Sequence, residues 1–298
     1  MTAIRTQVSA WSDIGVEEIF YAYRKAKADC FFEKSICIAQ RFAEYEGDLP
    51  NRLLSLLQRL QAGEIDQLLT EGSKNRKIVA KKLGLLPKPT SKKKTNGHGF
   101  FSDPRRAFER LRTTHELVPE FRLVGDFSVD MHVLSALWVN LVGHKFDQVL
   151  SPSAYGSRLR RYRPEPGSPS GTVGQYHMEA IGSFQPYFGP YKAWRERGLQ
   201  AIREELQADR PVVAVSMDLT SYYHRIDPSF LANDAFHKDL GIELSAWDRG
   251  FTSAFVRALN LWADGVVGEL SALGCDATER RHGGVPIGLS MVRLAANV

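Results

Sequence analysis

Residues 212–230, VVAVSMDLTSYYHRIDPSF, decide how the chain is interpreted, because an apolar run there ends in a single acidic residue. The run at 212–217 predicts a strand that is buried on both faces, with Asp218 at its exit. A carboxylate in that position is partly desolvated unless a cation accompanies it. Mg²⁺ prefers oxygen ligands and often bridges carboxylates to phosphates, so Asp218 is a candidate metal ligand. The alternative is that Asp218 only caps the following turn.

A second block, residues 283–298 (GGVPIGLSMVRLAANV), combines glycines and a proline in a tight loop that leads into an apolar helix. Together with the Asp218 segment, it resembles the reverse transcriptase family. There an aspartate ends a palm strand, an aromatic residue follows five positions later, and a GxPxG loop opens a palm helix. Residues 121–133 (FRLVGDFSVDMHV) resemble the fingers hairpin of group II intron and retron-type enzymes, and residues 153–158 (SAYGSR) resemble their SYGFR-type element.

The chain departs from the common family pattern at two points. Ile287 stands where many members have glutamine, and the resulting VPIG loop resembles abortive-infection and other defence-associated bacterial reverse transcriptases. The YxDD-like hairpin that completes the metal site of the family does not occur in this sequence. Two-metal phosphoryl transfer uses ions about 3.5–4 Å apart, which one aspartate cannot hold. We therefore expect a segment truncated before that motif, inactive by itself.

The resemblance implies roles for the residues that match the metal and sugar sites. Asp218 would be the catalytic aspartate, and Asp218 with the backbone carbonyl of Leu219 would bind Mg²⁺. Tyr223 matches the aromatic sugar gate, whose ring crowds a ribose 2′-hydroxyl and so favours deoxynucleotides. Structural packing is the alternative role for Tyr223.

Further residues match the nucleotide pocket of the family. Arg122 corresponds to the fingers arginine that contacts the incoming triphosphate, and a guanidinium can bind phosphate oxygens in a bidentate manner. A surface ion pair is the alternative for Arg122. Gly284, Pro286 and Gly288 would form the floor beneath the nascent base pair. Arg293 lies one turn into the following helix and would face phosphate or solvent.

The distribution of charge favours an anionic partner. The chain has a net charge of +5 and a pI near 9.0. Arg158, Arg160 and Arg161 lie between the tyrosines at 155 and 162, and guanidinium groups near aromatic rings suit phosphates and unstacked bases. We therefore predict nucleic-acid binding by these three arginines and by Arg293. The basic run at 73–94 is either a solvated linker or a further phosphate contact.

Several classes of protein are not indicated. Three cysteines without CxxC spacing argue against structural disulfides and a zinc site, which fits a reducing cytoplasm. The first residues lack the apolar core of a signal peptide, and no run approaches the roughly 18 apolar residues of a membrane span. We expect a cytoplasmic protein without a membrane partner. The phosphate-binding GxxxxGK[ST], hydrolase GxSxG and metalloprotease HExxH motifs are also absent from the sequence.

The expected fold class is α+β, with right-hand polymerase fingers and a partial palm after a helical N-terminal region. Residues 1–98 would form the helical extension with its basic linker, 99–210 the fingers and 211–298 the first part of the palm. Helical spacing of apolar residues and capping signals predict the elements. The predicted helices are 14–45, 48–63, 103–117, 131–142, 187–206 and 245–273, and the fingers strand is 121–127.

The function that the resemblance implies is RNA-directed DNA polymerisation by Mg²⁺-dependent nucleotidyl transfer, in bacterial antiviral defence. Its partners would be template and primer, RNA and DNA, and dNTPs, while a protein partner or homo-oligomer stays open. Two alternatives remain: an intron- or retron-encoded reverse transcriptase, and a noncatalytic nucleic-acid-binding scaffold that keeps the polymerase shape.

Overall fold

The computed structural model describes residues 8–33, 38–73, 76–85, 117–169, 172–215, 217, 219, 222–272 and 284–298. The chain divides into two compact units, one comprising Met1–Arg76 with Gly125–Val298 and the other Lys77–Val124. The described part is mostly helical with little strand, which is compatible with an α-rich or an α+β class. None of its helices combines the length and the apolar character needed to cross a membrane.

Helices account for most of the larger unit. The α-helices described are α1 (Val16–Phe32), α2 (Ala39–Glu46), α3 (Leu49–Gln61), α4 (Ile65–Ser73), α5 (Val129–Trp138), α6 (His144–Gln148), α7 (Phe188–Gln207), α8 (Asp234–Leu240), α9 (Ala246–Ala272) and α10 (Ser290–Ala295). Short 3₁₀ turns lie at Trp11–Asp13, Tyr222–Arg225 and Pro228–Ala232, and a π-turn at Val139–Gly143 joins α5 to α6.

The N-terminal helices form because apolar residues recur at helical spacing. In α3, Leu53, Leu56, Leu57 and Leu60 are buried on one face, and Pro50 lies in the first turn, where its missing N–H costs nothing. This helix confirms the prediction for 48–63. Within the range 14–45, where one helix was predicted, the structure has two: α1 ends at Phe32, with Glu33 as its C-cap, and α2 begins at Ala39, with Ile38 as its N-cap.

Helix α5 lies at the centre of the core, and nearly all of its residues are buried. Ser128 caps its N-terminus, since the Ser128 hydroxyl accepts a hydrogen bond from the N–H of Met131 at 3.2 Å. Trp138 at its end donates from Nε1 to the hydroxyl of Thr252 in α9 at 3.0 Å. The long apolar helix predicted at 131–142 is therefore present, although its last turn widens into the π-turn.

The smaller unit contains a two-stranded sheet in which β1 (Arg76–Leu85) pairs with β2 (Leu117–Gly125). Strand β2 confirms that a strand occupies most of the range predicted at 121–127. Strand β1 lies within the basic run at 73–94, for which a solvated linker or a phosphate contact was expected, and its valine and isoleucine residues favour extended backbone. The predicted helix at 103–117 lies outside the described residues.

The apolar run at 212–217 differs from its prediction. Its described positions form neither helix nor strand, and Val213, Val215 and Met217 are 89%, 74% and 87% exposed. The buried strand predicted there is therefore wrong for this structure. A strand needs a neighbour to pair its backbone groups and to cover its side chains, and the described strands, β1 and β2, pair only with each other.

Candidate functional site

The glycine loop, residues 284–288, lies next to the segment that follows Asp218. Gly284 and Gly288 have φ values of +63° and +118°, a backbone region that residues with a Cβ rarely adopt. The N–H of Val285 donates a hydrogen bond to the carbonyl oxygen of Tyr223 at 2.8 Å. Tyr222 adds a second link, because its hydroxyl donates to the carbonyl of Ala296 at 2.8 Å. The two sequence motifs are therefore joined in space.

A cavity of about 260 Å³ opens beside this junction, and we call it the loop cavity. Tyr223 and Gly288, two of the residues proposed for nucleotide binding, line it together with Arg293, which was proposed for nucleic-acid binding. Ser157, from the SAYGSR element, lines it as well. Three segments that are far apart in sequence thus contribute to one cavity.

Asp29 in α1 also lines the loop cavity, although sequence analysis did not predict it. Its buried carboxylate accepts hydrogen bonds from the N–H of Ser183 at 2.8 Å and from the hydroxyl of Ser290 at 2.7 Å. Burial raises the pKa of the Asp29 carboxyl above its ordinary value, while the hydrogen bonds and the nearby Arg293 oppose that shift. The available signal was an acid on the apolar face of α1, between Ala26 and Cys30.

A second buried polar group of α1 lies one turn earlier. Lys25 is fully buried, and its Nζ donates to the Tyr176 hydroxyl at 2.5 Å and to the carbonyl of His177 at 3.0 Å. Tyr176 in turn donates to Oδ1 of Asn140 at 2.7 Å. Burial lowers the pKa of the Lys25 ammonium to about 7. This network ties α1 to the irregular segment at 172–187.

Arg158 and Arg161, predicted to bind nucleic acid, converge on one carboxylate. Asp147 is buried, and its oxygens accept from Nε of Arg158 at 3.0 Å and from Nη2 of Arg161 at 2.9 Å. The N–H of Leu159 donates to the same carboxylate at 3.1 Å. These arginines therefore stabilise the SAYGSR element within the chain.

The other two predicted arginines are placed differently. Arg160 donates from Nε to the carbonyl of Phe184 at 2.8 Å. Arg293 lies with its guanidinium 4.5 Å from the centroid of the Phe184 ring and donates from Nε to the Ser157 hydroxyl at 3.2 Å. Of the four arginines, Arg293 is the one that lines the loop cavity.

The remaining predicted residues are those that would bind the metal ion and the nucleotide. Asp218 and the side chain of Arg122 lie outside the described residues, whereas Leu219 is described and exposed. Pro286 is buried within the glycine loop. Within the described ranges, no group of three or more His, Cys, Asp or Glu side chains could hold a metal ion.

A buried thiol and imidazole form the one Cys–His contact described, with Sγ of Cys30 3.3 Å from Nδ1 of His132. Burial raises the pKa of the Cys30 thiol and lowers the pKa of His132 to about 4. Both groups are therefore neutral at physiological pH, which does not suit nucleophilic catalysis.

Comparison with known proteins adds no further assignment, because no family model, curated protein or solved structure matches the chain.

Proposed function

We propose that the chain is the fingers and the first part of the palm of a right-hand RNA-directed DNA polymerase that uses Mg²⁺. The observation that carries the proposal is the loop cavity. It brings together Tyr223 and Gly288, to which the resemblance assigns contacts with the nucleotide, and Arg293, which it assigns to nucleic-acid phosphate. The hydrogen bond from Val285 to Tyr223 supports the same reading, because it holds the two motifs together.

The residues of the cavity suit a nucleotide in their chemistry. Gly288 has no Cβ, so backbone can approach a base or sugar closely. The guanidinium of Arg293 can donate several hydrogen bonds to phosphate oxygens. The ring of Tyr223 would crowd a 2′-hydroxyl and so favour dNTPs over rNTPs.

The metal would bind through oxygen donors, the carboxylate of Asp218 and the carbonyl of Leu219, which fit the preference of Mg²⁺. When bound, the ion offsets charge on the triphosphate and lowers the pKa of the primer hydroxyl. Asp29 would act as a positioning residue, because its carboxylate holds Ser290 at the start of α10, directly after the glycine loop.

Calorimetric titration of the 298-residue chain with Mg·dNTP and Mg·rNTP tests nucleotide binding. We expect dNTPs to bind more tightly, Asp218→Asn to weaken both ligands, and Tyr223→Ala to remove the preference. Tyr223→Phe is the matched control, since it keeps the ring and should keep the preference. Absence of nucleotide binding, combined with binding of oligonucleotides, would favour the noncatalytic scaffold.

Polymerisation is tested in the full-length protein. Asp218→Ala should abolish extension of a nucleic-acid or protein primer with dNTPs, because the proposed metal ligand is lost. Retained extension would refute the assignment of Asp218.

The proposed antiviral role rests on the VPIG loop alone. If it is correct, expression of the protein in a bacterial host should lower phage plaque counts, and Asp218→Ala should reverse this effect.

A further inference from the structure

A larger cleft lies on the other side of the Arg293–Ser157 hydrogen bond, and we call it the aromatic cleft. It has a volume of about 510 Å³, within the range of roughly 300–1,000 Å³ that is usual for small-ligand sites. One wall is the SAYGSR element and the other is the beginning of α7. Arg293 and Ser157 line both this cleft and the loop cavity, so the two spaces share a wall.

Three aromatic side chains form a ladder along the α7 wall. Tyr187, Tyr191 and Trp194 follow one another at intervals of four and three residues, which places them on one face. Their ring centroids are 5.2 Å apart for the first pair and 5.8 Å apart for the second. All three line the aromatic cleft.

The three aromatic side chains of the ladder are not part of the hydrophobic core. Helix α7 has no buried residue, and Tyr187, Tyr191 and Trp194 are 63%, 44% and 54% exposed. Contiguous exposed aromatic surface of this kind marks a binding site more often than isolated exposed residues do. Flat faces that are open to solvent can stack with bases of any sequence, each contributing binding free energy.

Cationic side chains occur near the rings. Arg158 lines the cleft, and Nη1 of Arg197, on the same stretch of α7, donates to the Tyr155 hydroxyl at 3.4 Å. Lys192 and Arg195 add positive charge to these turns of α7, although Lys192 pairs with Glu196. Arg293, which donates from Nε to the Ser157 hydroxyl, also lines the cleft with its cationic side chain. Positive charge beside aromatic faces complements a phosphate backbone with unpaired bases.

The shared wall is held in an uncommon backbone conformation. Ser157 has φ of +41°, which residues with a Cβ rarely adopt. In this conformation its hydroxyl accepts the hydrogen bond from Arg293. Backbone of this kind persists where the surrounding structure imposes it, and it concentrates at ligand sites.

We propose that the aromatic cleft binds single-stranded nucleic acid, with bases stacked on Tyr191 and Trp194 and the backbone beside Arg293 and the cations of α7. This inference rests on the proposed polymerase function and deepens it by naming where a template or primer strand binds. Binding at this site requires neither Mg²⁺ nor catalysis, so it can be tested separately. The shared wall places the strand next to any nucleotide held in the loop cavity.

Fluorescence anisotropy of a labelled 12-nucleotide oligo(dT) or oligo(U), measured with EDTA at several salt concentrations, tests the proposal with the whole chain. We expect a strand to bind more tightly than a duplex of the same length and to quench tryptophan emission. Trp194→Ala should weaken binding roughly 5- to 150-fold, the loss of one stacked base, and Tyr191→Ala should act in the same direction. Leu206→Ala is the matched control, because this exposed residue of α7 lies outside the cleft, and it should leave affinity unchanged.

Three results would overturn the proposal: no binding of single strands, equal affinity of the Trp194→Ala and unsubstituted chains, or preference for duplex. Self-association of the chain that disappears in Trp194→Ala, with oligonucleotide binding unchanged, would assign the cleft to a protein interface instead. Mg·dNTP titration of Trp194→Ala separates the two sites, because Trp194 does not line the loop cavity. If Trp194→Ala loses strand binding but keeps normal dNTP binding, the strand is bound at the aromatic cleft and not at the loop cavity.

Discussion

The carboxylate of Asp29 accepts a hydrogen bond from the hydroxyl of Ser290 at 2.7 Å, although the two residues are 261 positions apart in sequence. The first helix of the chain thereby holds the helix that follows the glycine loop. Because the same carboxylate also accepts from the N–H of Ser183, one side chain ties three distant segments together.

Asp29→Ala is expected to reduce the free energy of unfolding by roughly 1–3 kcal/mol, because a buried N–H and a hydroxyl lose their acceptor. Asp29→Asn is the matched control: its amide oxygen can still accept from Ser183, and its NH₂ can donate to Ser290. Urea denaturation measures both. Equal losses for the two variants would show that the hydrogen bonds contribute little.

Asp147→Ala is expected to be more damaging, by about 3–5 kcal/mol, because two largely buried guanidinium groups lose their partner. Asp239→Ala, which removes an exposed acid from α8, should change stability by less than about 0.5 kcal/mol. Thermal unfolding followed by circular dichroism distinguishes them. Similar melting temperatures for both variants would contradict a structural role for the Asp147 pairs.

Two glycine substitutions should change the free energy of unfolding in opposite directions. Gly288→Ala places a Cβ on a backbone with φ of +118°, which should cost about 1–3 kcal/mol. Gly198→Ala lies inside α7 with open space around the new methyl group, so it should stabilise by up to about 1 kcal/mol. Chemical denaturation of both variants checks the signs. A neutral Gly288→Ala would mean that the loop adopts another conformation.

The buried Lys25 predicts a pH dependence. Below about pH 7 it is protonated in the folded and unfolded chains alike, so its contribution is constant. Between about pH 7 and 10.5 only the unfolded chain keeps this proton, and the free energy of unfolding should rise with pH by up to about 1.4 kcal/mol per unit. The measurement is the stability difference between the unsubstituted chain and Lys25→Met, in which other titrations cancel. A flat difference over this window would contradict the prediction.

Local sequence signals were sufficient for most of the described helices. Pro50 and the leucine spacing located α3, and the regular spacing of Trp247, Phe251, Phe255 and Trp262 located α9. Such features act within a few turns, so they can be read without knowledge of the fold. The adjacency of Tyr223 and the glycine loop followed from a resemblance in the order of motifs, not from local signals.

The features that sequence analysis missed depend on distant partners. Asp29 and Lys25 look like ordinary charges of an amphipathic helix until residues more than 150 positions away bury them. Arg158 and Arg161 looked available for phosphate because their partner, Asp147, lies in a different element. The prediction of a strand at 212–217 was wrong for the same reason, because strand pairing depends on neighbouring segments and not on the run itself.

The uncovered run at 212–217 has a practical consequence for anyone who purifies this chain. Val213, Val215 and Met217 form a group of exposed apolar side chains, and exposed apolar surface of this kind favours association between chains. The chain should therefore aggregate as its concentration rises and bind to apolar chromatography resins. Val213→Lys, which introduces a charge into this run, should keep light scattering low at concentrations at which the unsubstituted chain aggregates.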